Sequence, residues 1–311
     1  MTEGDLKMKI GINGTGLVQR ASVEMVAADA LKAEQAGFSS YWLAEHPTGG
    51  FDALTVLALV GQQTTRIELG TAIVPTFPRH PMTLAGQALT TSAASRSPIT
   101  LGIGLSHQVM MASLGIAFDK PIGHLRDYLS VLMPLIQTGQ VDFTGDHYQS
   151  QGTFFQKPQR VPSVLVAALG PQALRVAGHR TQGTTLAWVG PKTIATHIKP
   201  RLFDAAARAN RPDPRILATL PVCITPSETA RRAQITRHLA FYAELPSYKA
   251  MFEREGITDP GDLALVGSVE QVAEGLGRLA DAGVTDFAAS LFTSTEDEQA
   301  ATYAFLQEQI H

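Results

Sequence analysis

Two corners of this chain are built from the same kinds of residue in the same order. Ala36-Gly37-Phe38-Ser39-Ser40-Tyr41 and Ala282-Gly283-Val284-Thr285-Asp286-Phe287 each read as a helix passing through Ala-Gly into a strand. Ahead of the first, Ile10-Gly11-Ile12 forms a short apolar strand, and Val23, Val26, Ala27, Ala30 and Leu31 recur at helical spacing until Gly37. Ahead of the second, Ser268 and Gln271 have the spacing of a capping box, and Val272, Leu276 and Leu279 mark a buried stripe that ends before Gly283. Phe38 then opens one strand, and Phe287 to Phe292 form the other. Between these cycles, strands are expected near 67–74, 99–104, 163–168, 184–188 and 216–224, with helices between most of them. Such alternation builds a parallel sheet covered by helices, and closure into eight strands is favoured over an open sheet.

The expected fold class is therefore α/β: a (β/α)8 TIM barrel with insertions after strands 4 and 7, as one domain over residues 1–311. Barrels of this class commonly run somewhat above about 250 residues as one unit. The first insertion begins after His107. It holds a helix marked by Leu125, Tyr128, Leu129, Leu132, Leu135 and Ile136, then a turn-rich Val141 to Phe155 with the pattern of a hairpin. The second, 228–265, has a charged helical run from Arg231 to Glu244, followed by Pro246, Gly256, Pro260 and Gly261 as breakers. Insertions that leave from strand ends shape a substrate mouth or a dimer contact.

A hydrophobic fraction of 44% in a chain this long supplies a large core. With 25 basic residues against 28 acidic ones, the net charge of −3 gives no reason to expect nucleic acid or an anionic membrane. A small-molecule partner is expected. Cys223 is the only cysteine, which excludes an internal disulfide and any cysteine-based zinc cluster and favours the cytoplasm. The polar residues 1–9 lack a signal-peptide core, and no apolar run reaches the roughly 20 residues of a spanning helix.

In a barrel, the carboxyl ends of successive strands converge on one mouth, so Glu45, His46, Ala72, Ile73, Leu105, Ser106 and His107 are expected to border a single pocket. Glu45-His46-Pro47 places two titratable groups at a strand end, which favours a reacting role over a merely hydrogen-bonded pair. His107 follows Gly102-Ile103-Gly104, whose glycines thin a strand so that a flat ring can lie against its backbone. Neither this run nor Gly14-Thr15-Gly16-Leu17-Val18-Gln19 completes a dinucleotide fingerprint, because the third glycine is missing from both. Ala168-Leu169-Gly170-Pro171-Gln172 puts proline at a helix start, where free amides can receive a phosphate without a lysine; an ordinary turn is the alternative. Arg79 and His80 read as structural, and Trp188 as a core side chain that could also stack on a ring.

Taken in order, these residues resemble the luciferase-like monooxygenase superfamily, and within it the oxidoreductases that use the deazaflavin coenzyme F420. The resemblance runs from Ala36-Gly37-Phe38 to Glu45-His46, through Leu69 to Ile73 and Arg79-His80-Pro81, to Leu101 to Gly104 and Ala168 to Pro171 ahead of Ala177-Gly178. It implies a cofactor ring at the strand ends, backed by a bulge with a non-proline cis peptide between Ala72 and Ile73. The cofactor-binding residues would be Glu45, His46, Ala72, Ile73, Gly104, Leu105, Ser106 and His107, with Ala168, Gly170 and Pro171 on the phosphate tail. The catalytic candidates are His46, His107 and Glu45, the last orienting His46 or touching the ring; no metal is expected.

One departure matters. Leu105-Ser106-His107 stands where the sugar-phosphate dehydrogenases of this group have a threonine, a glycine and a catalytic glutamate. The strand-eight end Leu291-Phe292-Thr293-Ser294 also offers no lysine or arginine to a substrate phosphate. The function implied is hydride transfer between F420 and a small, non-phosphorylated organic substrate. A reduced-FMN monooxygenase is the first alternative and a non-enzymatic cofactor-binding protein the second, and the resemblance implies a homodimer.

Overall fold

The computed structural model describes residues 8–18, 21–46 and 49–310. Gln19, Pro47 and most of the polar amino-terminal residues invoked above lie outside the described residues. Eight parallel strands close on themselves: β1 (Lys9–Asn13), β2 (Ser40–Leu43), β3 (Glu68–Thr71), β4 (Ile99–Gly104), β5 (Ser163–Ala167), β6 (Gly183–Ala187), β7 (Arg215–Ile224) and β8 (Asp286–Leu291). Each pairs with the next, and β8 returns to β1 with Ile10 opposite Phe287. The helices that cover this sheet are α1 (Val23–Gln35), α2 (Ala53–Val60), α3 (Pro81–Ala94), α4 (Pro121–Thr138), α5 (Pro171–Arg180), α6 (Lys199–Arg208), α7 (Val269–Asp281) and α8 (Glu296–Glu308).

The two similar corners have the same geometry. Gly37 and Gly283 sit at φ +92° and +98°, a region in which a side chain would be strained. Phe38 and Val284 each donate back to a carbonyl five residues earlier, Ala33 and Leu279, which closes the end of α1 and α7. The Ser268–Gln271 capping box is formed in both directions at the start of α7.

Two layers of core follow from the strand alternation. Outside the barrel, residues such as Tyr41, Leu69, Leu101, Val164 and Phe287 pack under the helices. Inside it, Trp42, Leu165, Leu217 and Ala288 fill the middle, with Ala72 lying against them. At the amino-terminal end of the barrel, Arg215 binds Glu68 and Asp286 at 2.8 Å each. One cation thereby ties the starts of β3, β7 and β8 together, and its pKa is raised because its two carboxylate partners outweigh its burial.

The insertions differ from expectation in detail. The segment after β4 leaves as an additional short helix, Gln108–Ser113, and the hairpin (Gln140–Thr144 with Gln149–Thr153) follows α4 as expected. Its tip doubles back along α4, where the His147 amide donates to Asp127 at 2.8 Å. After β7, the helix Glu228–Ala243 ends before Pro246 as expected, and Pro246 also starts an unexpected second helix, Pro246–Glu255. Proline is favoured at the first helical position because its missing N–H has no partner there to lose. A short strand, Leu265–Gly267, then pairs with the far end of β7.

Candidate active site at the carboxyl ends of the strands

The chain leaves β3 at Thr71, passes through a cis peptide between Ala72 and Ile73, and resumes pairing with β4 at Val74–Pro75. The expected single strand over 67–74 is therefore interrupted where the bulge was implied. Three contacts tie this bulge to both neighbours. The Ala72 amide donates to the Leu43 carbonyl at 2.8 Å, the Glu45 amide to the Ile73 carbonyl at 2.9 Å, and the Thr76 amide to the Gly104 carbonyl at 2.9 Å. The glycines of β4 are required by the same approach: a Cβ on Gly102 would collide with the Thr71 carbonyl, and one on Gly104 would crowd Ile73 and Ala167 at 3.1 Å. The Thr71 hydroxyl donates to the Gly102 carbonyl at 2.8 Å and accepts from its amide at 2.9 Å, locking the two strands.

Glu45, His46, Ala72, Ile73, Leu105, Ser106 and His107 are all half-buried, above strands that are almost wholly buried. Such a rim of partial exposure at the end of a sealed barrel is where a barrel of this kind gathers its reacting groups. Ser106 and Trp188, at the ends of β4 and β6, both have positive φ, +61° and +58°, which is uncommon for residues with side chains and is found at functional turns. Trp188 is half-buried beside Tyr242 rather than sealed in the core.

Glu45 does not orient His46. Its carboxylate accepts from Arg79 at 3.0 Å and from the Ala53 amide at 3.3 Å, and Arg79 also binds Asp52. A full cation is a stronger partner than an imidazole, which explains the difference. Burial still raises the Glu45 pKa, with Arg79 opposing and Asp52 adding to it. Arg79 and His80 are thus structural as expected, His80 capping α3 by accepting from the Met82 amide at 3.2 Å. The pKa values of His46 and His107 are both lowered by burial, so both rings are neutral near pH 7.

Gly170 is the N-cap of α5, with Pro171 in its first turn and no side chain capping it. No heavy atom lies within 4 Å of where a Cβ on Gly170 would stand, so there is open space beside the uncapped start of α5. Ala168 is different: only 2% exposed, it packs in the outer core and could offer a ligand its backbone alone. The Leu169 carbonyl between them accepts from His197 Nε2 at 2.8 Å. His197 went unread in the sequence because it lies 28 residues away, in a π-helical turn over Ile194–Ile198.

The helix start after β6 is closed to an anion. Glu255 accepts from the amides of Lys192 and Thr193 at 3.1 and 2.7 Å, and a Cβ on Gly190 would strike its carboxyl carbon. At the end of β8, Arg231 reaches Ser294 but is held by Glu298 at 2.6 Å, and the Ser294 amide donates to the same carboxylate. Glu298 has its pKa drawn down to about 2: burial opposes the shift, and Arg231 with the other donors outweighs it. That pairing cancels the charge of the cation at this strand end.

The chain was compared with known proteins on this footing. The model for the family described as luciferase-like monooxygenase matches residues 9–286. An F420-dependent glucose-6-phosphate dehydrogenase of Nakamurella multipartita is 27% identical over 245 residues, 74% of this chain and 71% of its own. The 5,10-methylenetetrahydromethanopterin reductase of Methanolobus tindarius is 25% identical over 276 residues, 88% of this chain and 83% of its own. Among solved structures, an F420-dependent secondary alcohol dehydrogenase in complex with an F420-acetone adduct shares the fold, with a TM-score of 0.79 at 16% identity over 97% of this chain and 98% of that one. All eight barrel strands begin within the matched span, and the chain belongs to the luciferase-like monooxygenase family.

Proposed function

We propose that this protein is a coenzyme F420-dependent oxidoreductase that passes a hydride between the deazaflavin ring and a small, non-phosphorylated organic substrate. The observation that carries this reading is the half-buried lining of Glu45, His46, Ala72, Ile73 and Leu105 to His107 around the ends of β2, β3 and β4. The F420-dependent activity named for the Nakamurella multipartita relative supports it. The site also fits the group. A flat ring would meet backbone at the Ala72–Ile73 bulge, and an anionic tail would find uncapped amides in the first turn of α5, after Pro171. The blocked start at Gly190 leaves that tail one helix terminus rather than two.

When bound, the deazaflavin supplies or accepts a hydride at a ring carbon. The protein manages the proton. A neutral His46 or His107 can take the hydroxyl proton of an alcohol as its C–H bond gives up hydride, and can return it to the carbonyl oxygen in the reverse direction. Glu45 and Arg79 hold the loop that presents His46. The neutralised Arg231 is the reason for excluding a phosphate on the substrate. We further propose a homodimer, as the family resemblance implies.

Calorimetric titration of the purified chain with F420 and, separately, with FMN tests the reading. Saturable F420 binding, followed by bleaching of its visible absorbance with a panel of alcohols, is the expected outcome. Tight FMN binding with none for F420 would instead favour the monooxygenase chemistry. Binding of F420 with no bleaching or recovery by any substrate would favour a cofactor carrier.

A further inference from the structure

The insertion after β7 brings rings to the mouth. Tyr248, in the first turn of the Pro246–Glu255 helix, lies with its ring centroid 5.7 Å from that of His107. Tyr242, near the end of the Glu228–Ala243 helix, stands 6.3 Å from His107 and 5.6 Å from Tyr248, nearly perpendicular to each. On its other side Tyr242 is 6.2 Å from Trp188. An aromatic arc therefore spans the ends of β4 and β6, made half by the barrel and half by the insertion. All four side chains are half-buried, so the arc keeps surface open to the mouth.

Two cations on elements around this arc are engaged elsewhere. Arg231 is paired with Glu298, and Lys192 reaches the Glu255 carbonyl at 3.5 Å. Burial raises the pKa values of both phenols, so they present neutral hydroxyls. A wall of rings set edge to face or tilted favours an uncharged flat ligand over an aliphatic or anionic one. Glu255, at the far end of the helix that carries Tyr248, fixes that helix to the start of the one after β6.

We propose that Tyr242, Tyr248 and Trp188 determine substrate specificity, forming an aromatic wall beside His107 that selects uncharged carbonyl compounds or alcohols bearing a planar ring. This deepens the function proposed above and rests on it for the reaction, though not for the binding. In the reductive direction, with hydride supplied to the carbonyl carbon by reduced F420, the oxygen would take a proton that the neutral His107 relays from water, which balances the step.

The test compares acetophenone with acetone on the full chain, as wild type and as Tyr242→Leu, Tyr248→Leu and Tyr248→Phe. With reduced F420, either leucine variant is expected to lower the ratio of kcat/KM for acetophenone over acetone about tenfold, with the change in KM, while Tyr248→Phe keeps the ratio within about threefold. Calorimetry of acetophenone with the cofactor-free protein reads the wall without turnover, and the same weakening is expected there. Unchanged acetophenone affinity in correctly folded leucine variants, equal shifts for both ketones, or no acetophenone binding to wild type would each overturn the proposal. Failure of F420 to bind, with acetophenone still held through the tyrosines, would overturn the proposed reaction and leave the wall standing.

Discussion

At the scale of single residues, His46 and His107 are legible as strand-end groups because a strand exit is a local feature of sequence. Their partners are not. Arg79 comes to Glu45 across 34 residues, and Tyr242 and Tyr248 come to His107 from an insertion whose path no periodicity reveals. What burial does to the histidines is equally invisible in sequence, and it changes their chemistry: a ring whose pKa lies below 6.5 works as a base at pH 7 rather than as a standing acid. Alcohol oxidation should therefore hold its rate through neutral pH and fall only when acid protonates the ring, with a midpoint below 6.5. Steady-state profiles of His46→Ala and His107→Ala check this. The variant that lacks the true base should lose about 10²-fold or more in kcat and lose the acid limb as well, whereas loss of neither in both variants would remove the role.

At the scale of elements, the helix-to-strand corners and the capping box were readable because each is settled within a few residues by glycine conformation or a side chain's reach. The helix that starts at Pro246 was missed for the opposite reason. Proline's effect depends on whether it stands inside a helix or at its first turn, and only the fold decides which. The helix it starts is fixed at its far end by one carboxylate, so Glu255→Gln should weaken that anchor without removing its packing. Hydrogen exchange across 246–255 should then rise, and KM for ring-bearing substrates should increase about threefold to tenfold with kcat little changed. Unaltered exchange would show that Met251 and Phe252, which are buried, hold the helix unaided.

At the scale of the whole molecule, the eightfold alternation was legible, while the ion cluster of Arg215, Glu68 and Asp286 inside the barrel was not, because it joins residues 71 and 147 positions apart. Stability also has a global pH signature. His124 bonds Thr76 at 3.0 Å, stacks on Phe77 at 3.8 Å, and has its pKa pushed down to about 4, first by burial and then by His147. Between that value and 6.5 the unfolded chain binds the proton that the folded one refuses. Stability is thus complete above pH 6.5 and declines as the pH falls toward 4. Urea unfolding of wild type and His124→Phe across this window should show wild type losing up to about 3 kcal/mol more than the variant. Parallel pH dependences would mean that His124 is not the group responsible.

The most direct measurement on the central claim is a crystal structure of the chain soaked or grown with F420. The deazaflavin ring should lie against Ala72, Ile73 and Gly104, with one face toward His46 and His107 and the tail phosphate on the amides that follow Gly170. A ring bound elsewhere, or a tail seated at Gly190 with Glu255 displaced, would contradict the account.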